Sequence, residues 1–214
     1  MMKAQEFVDI AMRYAESRHT IYMLGGLLKP LTTELIDYKE KQWPKNKQWD
    51  AQLRSHLGYW ASDCVTTLKA ILWGATPENP NNMKYQSNGV PDVAANAFFE
   101  CCSEKTKDFT NIVPGEICWM DGHVGVYLGD GLCAECTPTP HGNYGSGVQI
   151  NACNCKKDDY WTRNWTMHGK SPYIDYSVTP SPSKKYTIKV DFGTEKEAKD
   201  AAEGLKLLGF NASV

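Results

Sequence analysis

The chain has 214 residues, a mass of 24.0 kDa and a formal net charge of −2 at pH 7. This near-neutral balance excludes the basic face that nucleic acid requires, so we expect no nucleic-acid partner. No stretch approaches the roughly 18 apolar residues of a membrane-spanning helix, so we expect no membrane partner. The length is sufficient for one well-cored domain with a small appendage.

The first nine residues include acids where a secretory signal needs an apolar core. We therefore expect synthesis in the cytoplasm without a signal peptide, and release by another agent if the protein acts outside the cell. The eight cysteines are predicted to be free thiols, since the cytoplasm is kept reducing. Among them, Cys101, Cys102 and Cys118 are interpreted as small buried hydrophobic residues.

The chain begins with a predicted amphipathic helix from about residue 3 to 17, where apolar residues repeat at helical spacing. A loop follows at 22–26, in which Gly25 and Gly26 are free to adopt positive φ. Short helical pieces are expected near 34–39 and 49–57, within a polar and Trp-rich region.

A further helix is predicted to begin after the capping acid Asp63 and to extend to about Trp73. Residues 74–89 are dense in Pro and Asn, which indicates a loop. Pro91 or Asp92 is expected to start the last helix of this region, ending near Cys102.

The pattern then changes to the period of two that is typical of strands. We predict a β-meander whose turns contain the Asp-Gly pairs at 121–122 and 130–131. Helices first and strands afterwards indicate an α+β domain. The predicted strands are 117–119, 123–128 and 132–137, and segments at 148–150 and 161–165 are expected to complete the sheet.

The predicted domains are a main unit at 1–176, a Pro- and Ser-rich linker at 177–183 and a small β-α-β unit at 184–214.

Cys64 and His123 carry the chemical signal of the sequence. Cys64 opens a predicted helix, where unpaired N–H groups and the positive end of the dipole favour a thiolate near neutral pH. His123 opens a predicted strand about sixty residues later and can take or give the proton. Such pairs are neighbours in a fold rather than in sequence, so we predict a cysteine hydrolase.

Three segments resemble the NlpC/p60 cysteine peptidases and their CHAP relatives, which are papain-like hydrolases of the bacterial cell wall. They are 22–26 (Tyr-Met-Leu-Gly-Gly), 62–64 (Ser-Asp-Cys) and the run from Pro-Gly-Glu at 114–116 into His-Val-Gly-Val-Tyr at 123–127. The resemblance covers about residues 5–175. It implies a papain-like α+β fold, with N-terminal helices packed on the meander, and no cofactor.

Carried over residue by residue, the resemblance implies that Cys64 is the nucleophile and His123 the general base and acid. It places the third polar residue at Glu135, where many relatives have His. Tyr22 matches a tyrosine beside the nucleophile that helps to bind the oxyanion with the Cys64 N–H. Asp63 is assigned to the same substrate and oxyanion region.

The function that the resemblance implies is hydrolysis of an amide in the peptidoglycan stem peptide through a thioester, in the manner of a bacteriophage endolysin. An N-acetylmuramoyl-L-alanine amidase with the same triad is the alternative enzyme. A non-catalytic cell-wall-binding or effector protein on this scaffold is the alternative of another class. Residues 184–214 resemble the first half of a SPOR domain, which implies wall anchoring or pairing with a second copy of the chain. Packing on the main unit and a truncated tail are the other interpretations of this segment.

A structural zinc site is the rival chemistry, because Cys133, Cys136, Cys153 and Cys155 have roughly the spacing of a four-cysteine site. On a strand, however, Cys133 and Cys136 would point to opposite faces. The remaining histidines are expected to have surface or capping roles. They are His19, His56, His141 and His168.

Overall fold

The computed structural model describes residues 1–157, 159–177 and 199. The chain divides into two units, Met1–Ser183 and Lys184–Val214, and every element given below belongs to the first. The predicted linker at 177–183 and the predicted β-α-β unit at 184–214 lie outside the described residues, apart from positions 177 and 199. Within the described ranges, no helix has the length and apolar character needed to cross a membrane.

The main unit is α+β, as the sequence predicts. Short 3₁₀ turns lie at Pro44–Trp49, Pro80–Asn82 and Phe109–Asn111. The α-helices are α1 (Ala4–Ser17), α2 (Thr33–Gln42), α3 (Asp50–Arg54), α4 (Cys64–Leu72) and α5 (Ala95–Glu100).

Twelve short strands in the described residues form three sheets, with the orders β1-β12, β2-β4-β3 and β10-β9-β8-β7-β6-β11-β5. The strands of the large sheet are antiparallel except that β9 and β10 are parallel. The bounds are β1 (Met2–Lys3), β2 (Thr20–Tyr22), β3 (Leu27–Pro30), β4 (Trp60–Ser62), β5 (Ser103–Thr106), β6 (Ile117–Met120), β7 (His123–Gly129), β8 (Leu132–Thr137), β9 (Gly147–Cys153), β10 (Thr162–Arg163), β11 (Met167–Lys170) and β12 (Ile174–Asp175).

The large sheet is curled, and both of its faces are buried. Cys118 on β6 and Cys153 on β9 lie with their sulfur atoms 3.9 Å apart, although two strands separate them and a flat sheet would put them about 14 Å apart. One face packs against α1, α4 and α5 and carries apolar side chains such as Val124 and Val126. The other face encloses a small cluster that includes Trp165.

The Asp-Gly turn predicted between β7 and β8 is confirmed. Asp130 and Gly131 both have positive φ, 50° and 71°, which is the requirement of a two-residue turn whose twist matches the flanking strands. At the earlier turn only Gly122 has positive φ. The Asp130-Gly131 turn pairs Gly129 with Leu132, and a one-residue register shift between Tyr127 and Gly129 then brings Gly125 opposite Glu135.

Several element boundaries differ from the prediction. The last helix begins at Ala95 rather than at Pro91 or Asp92, because Asp92 is used elsewhere: its carboxylate pairs with Lys69 and accepts a hydrogen bond from Tyr85. Tyr22, predicted to open a loop, ends strand β2. Strands β5 and β11 extend the sheet beyond the predicted meander.

All eight cysteines are free thiols, as predicted. Cys102 and Cys118 are buried, which confirms their interpretation, whereas Cys101 is exposed and that interpretation was wrong. Cys101 is the residue after the last turn of α5, where its thiol donates to the carbonyl of Ala97.

Candidate active site

Paired strands bring Tyr22 next to Cys64. Strands β2 and β4 run in parallel with Tyr22 opposite Ser62, and Asp63 and Cys64 follow Ser62 directly. The Asp63 side chain caps α4 by accepting from Thr66 N, while Thr66 Oγ1 accepts from Asp63 N. This reciprocal cap fixes the helix start, so the nucleophile predicted from the sequence lies at a helix N-terminus.

Cys64 is 7% exposed, so a substrate must reach its sulfur through a narrow opening. Burial first, and then the charge of Asp63, raise the pKa of the thiol to about 12, against the lowering effect of the backbone N–H groups of Val124 and Val65. The expectation of a free thiolate near neutral pH is therefore wrong for the unliganded protein. A thiol in this setting keeps its proton until a neighbouring base removes it.

His123, the predicted base, lies at the start of β7. Its Nε2 lies 2.5 Å from Glu135 Oε2, and an ionised carboxylate only accepts, so Nε2 donates. This fixes the tautomer and leaves Nδ1 to exchange a proton. The backbone N–H of Val124, the next residue, reaches the Cys64 sulfur. The structure therefore pairs His123 with Glu135 and places Cys64 against the same strand end.

Glu135 is held by three donors. In addition to His123, Asn151 Nδ2 donates to Oε1 at 2.5 Å and Arg163 Nε donates to Oε1 at 2.8 Å. Burial would raise the pKa of Glu135, but the hydrogen bonds and charges of His123 and Arg163 lower it below its usual range. The carboxylate is therefore ionised at neutral pH and is able to stabilise an imidazolium at His123.

Trp165 covers the imidazole. Its ring stacks on His123 with a centroid distance of 5.4 Å and an interplanar angle of 1°, and its Nε1 donates to Cys133 Sγ at 3.1 Å. Gly125 makes the space for this ring, because a Cβ there would lie 2.8 Å from Trp165 Cζ2. The glycine of the His-Val-Gly motif thus has a packing role that positions the base.

Tyr22 is buried beside the nucleophile. Burial, followed by the charges of Cys64 and Asp63, raises its pKa, so the hydroxyl keeps its proton and remains a donor. Its ring meets Trp49 edge-on at 5.2 Å. The placement agrees with the predicted position of Tyr22, while its role in binding an oxyanion stays a prediction.

Both carboxylate oxygens of Asp63 are bonded within the protein, and its place in the substrate and oxyanion region stays a prediction. Its Oδ1 accepts from Thr66, and its Oδ2 accepts from the Gly25 N–H at 2.9 Å. Asp63 therefore joins the turn after Tyr22 to the start of α4, which makes it a positioning residue for both. Gly25 has the predicted positive φ of 71°, and Trp43 Nε1 would lie 2.6 Å from a Cβ at this position.

The four-cysteine arrangement proposed for zinc does not form. Cys133 packs with Trp165 on one face of β8, while the Cys136 thiol donates to the carbonyl of Ser62 on the other face. In the described part of the chain, no group of three or more potential ligands is arranged to hold a metal ion.

Two residues of the site were missed or underrated by sequence reasoning. Arg163 was not considered, although a buried carboxylate at Glu135 requires a counter-charge. Asn151 also has no part in the predicted site, yet its side chain donates to Glu135. His168 also differs from its expected surface role, since it is 3% exposed and pairs with Glu116 of the Pro-Gly-Glu motif.

No protein-family model, no curated protein and no solved structure matches this chain.

Proposed function

We propose that this protein is a papain-like cysteine hydrolase that cleaves an amide bond in the stem peptide of peptidoglycan, in the manner of a bacteriophage endolysin. The observation that carries the proposal is the buried His123–Glu135 pair at the strand end against which Cys64 lies. The resemblance of the segments around Tyr22, Cys64 and His123 to NlpC/p60 peptidases supplies the substrate class.

The reaction begins with proton transfer from the Cys64 thiol to His123 Nδ1 as sulfur attacks the amide carbon. The developing oxyanion accepts hydrogen bonds from the Cys64 N–H and the Tyr22 hydroxyl. His123 then gives its proton to the leaving amine, and a thioester remains on Cys64. Water attacks the thioester with His123 as base, which releases the acid and restores the thiol. Glu135 stabilises the imidazolium in both halves.

The test is turbidity loss of purified cell walls with the whole chain and with Cys64→Ala. We expect lysis by the natural chain and none by the variant, because no thioester forms without the sulfur. Cys101→Ala is the matched control, since Cys101 is an exposed thiol that is not part of the candidate site. Equal lysis by Cys64→Ala and the natural chain would refute the proposal.

Mass spectrometry of the digested muropeptides identifies the bond. A new amino group within the stem peptide is expected for an endopeptidase, whereas release of the whole stem from the lactyl group identifies the amidase. Wall binding with no new product, before and after thiol alkylation, identifies the non-catalytic protein.

A further inference from the structure

Three thiols lie together on the sheet face that carries Glu135. Cys118, Cys133 and Cys153 form a buried cluster with Trp165, and the sulfur atoms of Cys118 and Cys153 are 3.9 Å apart. Cys133 is held in place by other partners, because it donates to the Asn151 carbonyl at 3.5 Å and accepts from Trp165 Nε1 at 3.1 Å. Cys133 also contacts the Cys153 thiol, but its bonds to Asn151 and Trp165 resist displacement, so Cys118 and Cys153 are the pair that we expect to approach by the further 2 Å or so that a disulfide needs.

We propose that Cys118 and Cys153 form an intramolecular disulfide when the folded protein meets a small-molecule disulfide such as oxidised glutathione, and that Cys155 is the thiol that reacts first with this reagent. Cys155 is partly exposed. Its thiol and the backbone N–H of Cys153 both donate to the Gly131 carbonyl, at 3.4 and 2.8 Å. The shared acceptor places the Cys155 thiol beside the backbone of Cys153.

The exchange balances in three steps. The Cys155 thiolate attacks the reagent, forms a mixed disulfide and releases one reduced thiol. The Cys153 thiolate attacks the Cys155 sulfur and releases the second reduced thiol, giving a Cys153–Cys155 bond. The Cys118 thiolate then attacks Cys153 and returns Cys155 to the thiol form. In total, two protein thiols are oxidised and one disulfide reagent is reduced to two thiols.

The last step is slow because burial raises the pKa of Cys118, and thiolate is the attacking form. The product joins β6 to β9 across the inside of the curl and closes a chain separation of 35 residues. A cross-link of this span restricts the unfolded chain, so the oxidised protein is expected to have a Tm higher by roughly 5–10 °C. This inference does not depend on the proposed function.

The experiment incubates the whole folded chain with oxidised glutathione, blocks the remaining thiols by alkylation and maps the peptides by mass. The expected product is a 118–153 linked peptide pair with Cys155 alkylated. A final product that links Cys153 to Cys155, pairs Cys133 with either partner, or leaves glutathione on Cys155 would overturn the proposal.

Variants separate the two parts of the proposal. Cys118→Ala is expected to lose the difference in Tm between oxidised and reduced samples, and Cys118→Val serves if the alanine variant does not fold. Cys102→Ala, which removes a buried thiol from the other face, is expected to keep that difference.

Cys155→Ser is expected to slow the appearance of the 118–153 bond at least tenfold. An unchanged rate in Cys155→Ser would refute the role of Cys155, and an unchanged Tm difference in Cys118→Ala would refute the bond itself.

Discussion

The orientation of the His123 imidazole depends on one carboxylate, that of Glu135. Its side chain is 0% exposed and accepts hydrogen bonds from His123, Arg163 and Asn151. Because a buried charge without partners is costly, the three donors and the carboxylate stabilise one another. Any change at Glu135 therefore alters both the imidazole orientation and the charge that balances the imidazolium.

Glu135→Gln is expected to lower kcat at least ~100-fold while KM changes little, since the residue acts on the base rather than on the substrate. Separate measurement of kcat and KM on a soluble muropeptide tests this. Glu104→Gln is the matched control, because Glu104 is an exposed glutamate of the same sheet that pairs with Lys170. An unchanged kcat in Glu135→Gln would move the third role to another residue.

Arg163→Met is expected to shift the acid limb of the kcat/KM profile to higher pH. The guanidinium lowers the pKa of Glu135 by a hydrogen bond and by its charge, so its loss raises that pKa and the carboxylate takes a proton earlier as pH falls. Lys170→Met removes a cation from an exposed pair and is expected to leave the profile in place. A shift toward lower pH, or none, in Arg163→Met would contradict the assignment.

At the scale of elements, Asp63 sets the start of α4. It also makes the thiol of Cys64, which it positions, less acidic. Its charge raises the pKa of Cys64, while its oxygens cap the helix and anchor Gly25. Asp63 therefore makes Cys64 a weaker acid, but it fixes the position of the turn after β2 relative to the helix.

Asp63→Asn is expected to lower the pKa of Cys64 and the Tm together. The amide oxygen keeps the helix cap, but the amide nitrogen cannot accept from the Gly25 N–H, and loss of a hydrogen bond worth ~1 kcal/mol lowers the Tm by about 2–4 °C. The rate of Cys64 alkylation against pH, read from the Cys64 peptide, measures the first effect. Thr32→Ala removes the cap of α2, where Thr32 accepts from Leu35 N. It should lower the Tm similarly without changing Cys64. A higher pKa of Cys64 in Asp63→Asn would contradict this account.

Gly125→Ala is expected to reduce activity by displacing Trp165 from His123. The added Cβ would lie 2.7 Å from the Ala134 carbonyl and 2.8 Å from the Trp165 ring, so the ring must move. Gly145→Ala places its Cβ in open space and is the matched control. A structure of Gly125→Ala with the stack intact and full activity would show that the stack does not position the base.

The elements that could be predicted are those with a local cause. The cap at Asp63, the apolar spacing of α1 and the Asp130-Gly131 turn each depend on residues close in sequence. The site residues missed at the sequence level depend on distant pairs: Arg163 meets Glu135 only because β10 lies beside β9 at the sheet edge. A periodic pattern in the sequence does not predict such a contact. Asp92 does not start a helix because its carboxylate pairs with Lys69 instead.

At the scale of the whole molecule, the candidate site combines two segments of the main unit that are far apart in sequence. The first 73 residues supply Tyr22 and the helix of Cys64, and strands β6 to β10 supply His123 and the residues that hold it. The curl of the sheet is what allows a buried polar network on the face away from the helices. Helices cover one face of the sheet and the curl encloses the other, so the sheet is buried on both sides although it is largely antiparallel.

A chain ending at residue 177 is expected to cleave soluble muropeptides at the rate of the whole chain and to bind intact walls less tightly. The reason is that every site residue lies before position 166, while the segment from 184 is predicted to anchor the wall or to pair with a second copy. Light scattering of both chains tests the pairing. Equal monomeric masses would refute self-association through this segment, and equal wall binding would refute anchoring.

The pairing of β1 with β12 constrains how the protein is made. Met2 lies opposite Ile174, and Lys3 forms an ion pair with Asp175 across a sequence separation of 172 residues. At about 5–20 residues per second, synthesis of that interval takes roughly 10–35 s. During this time the apolar face of α1, with Phe7 and Tyr14, lacks strands β7 and β9 to cover it. We expect this exposure to last until β9 is complete at Cys153, and slower translation at low temperature to lengthen it instead of relieving it.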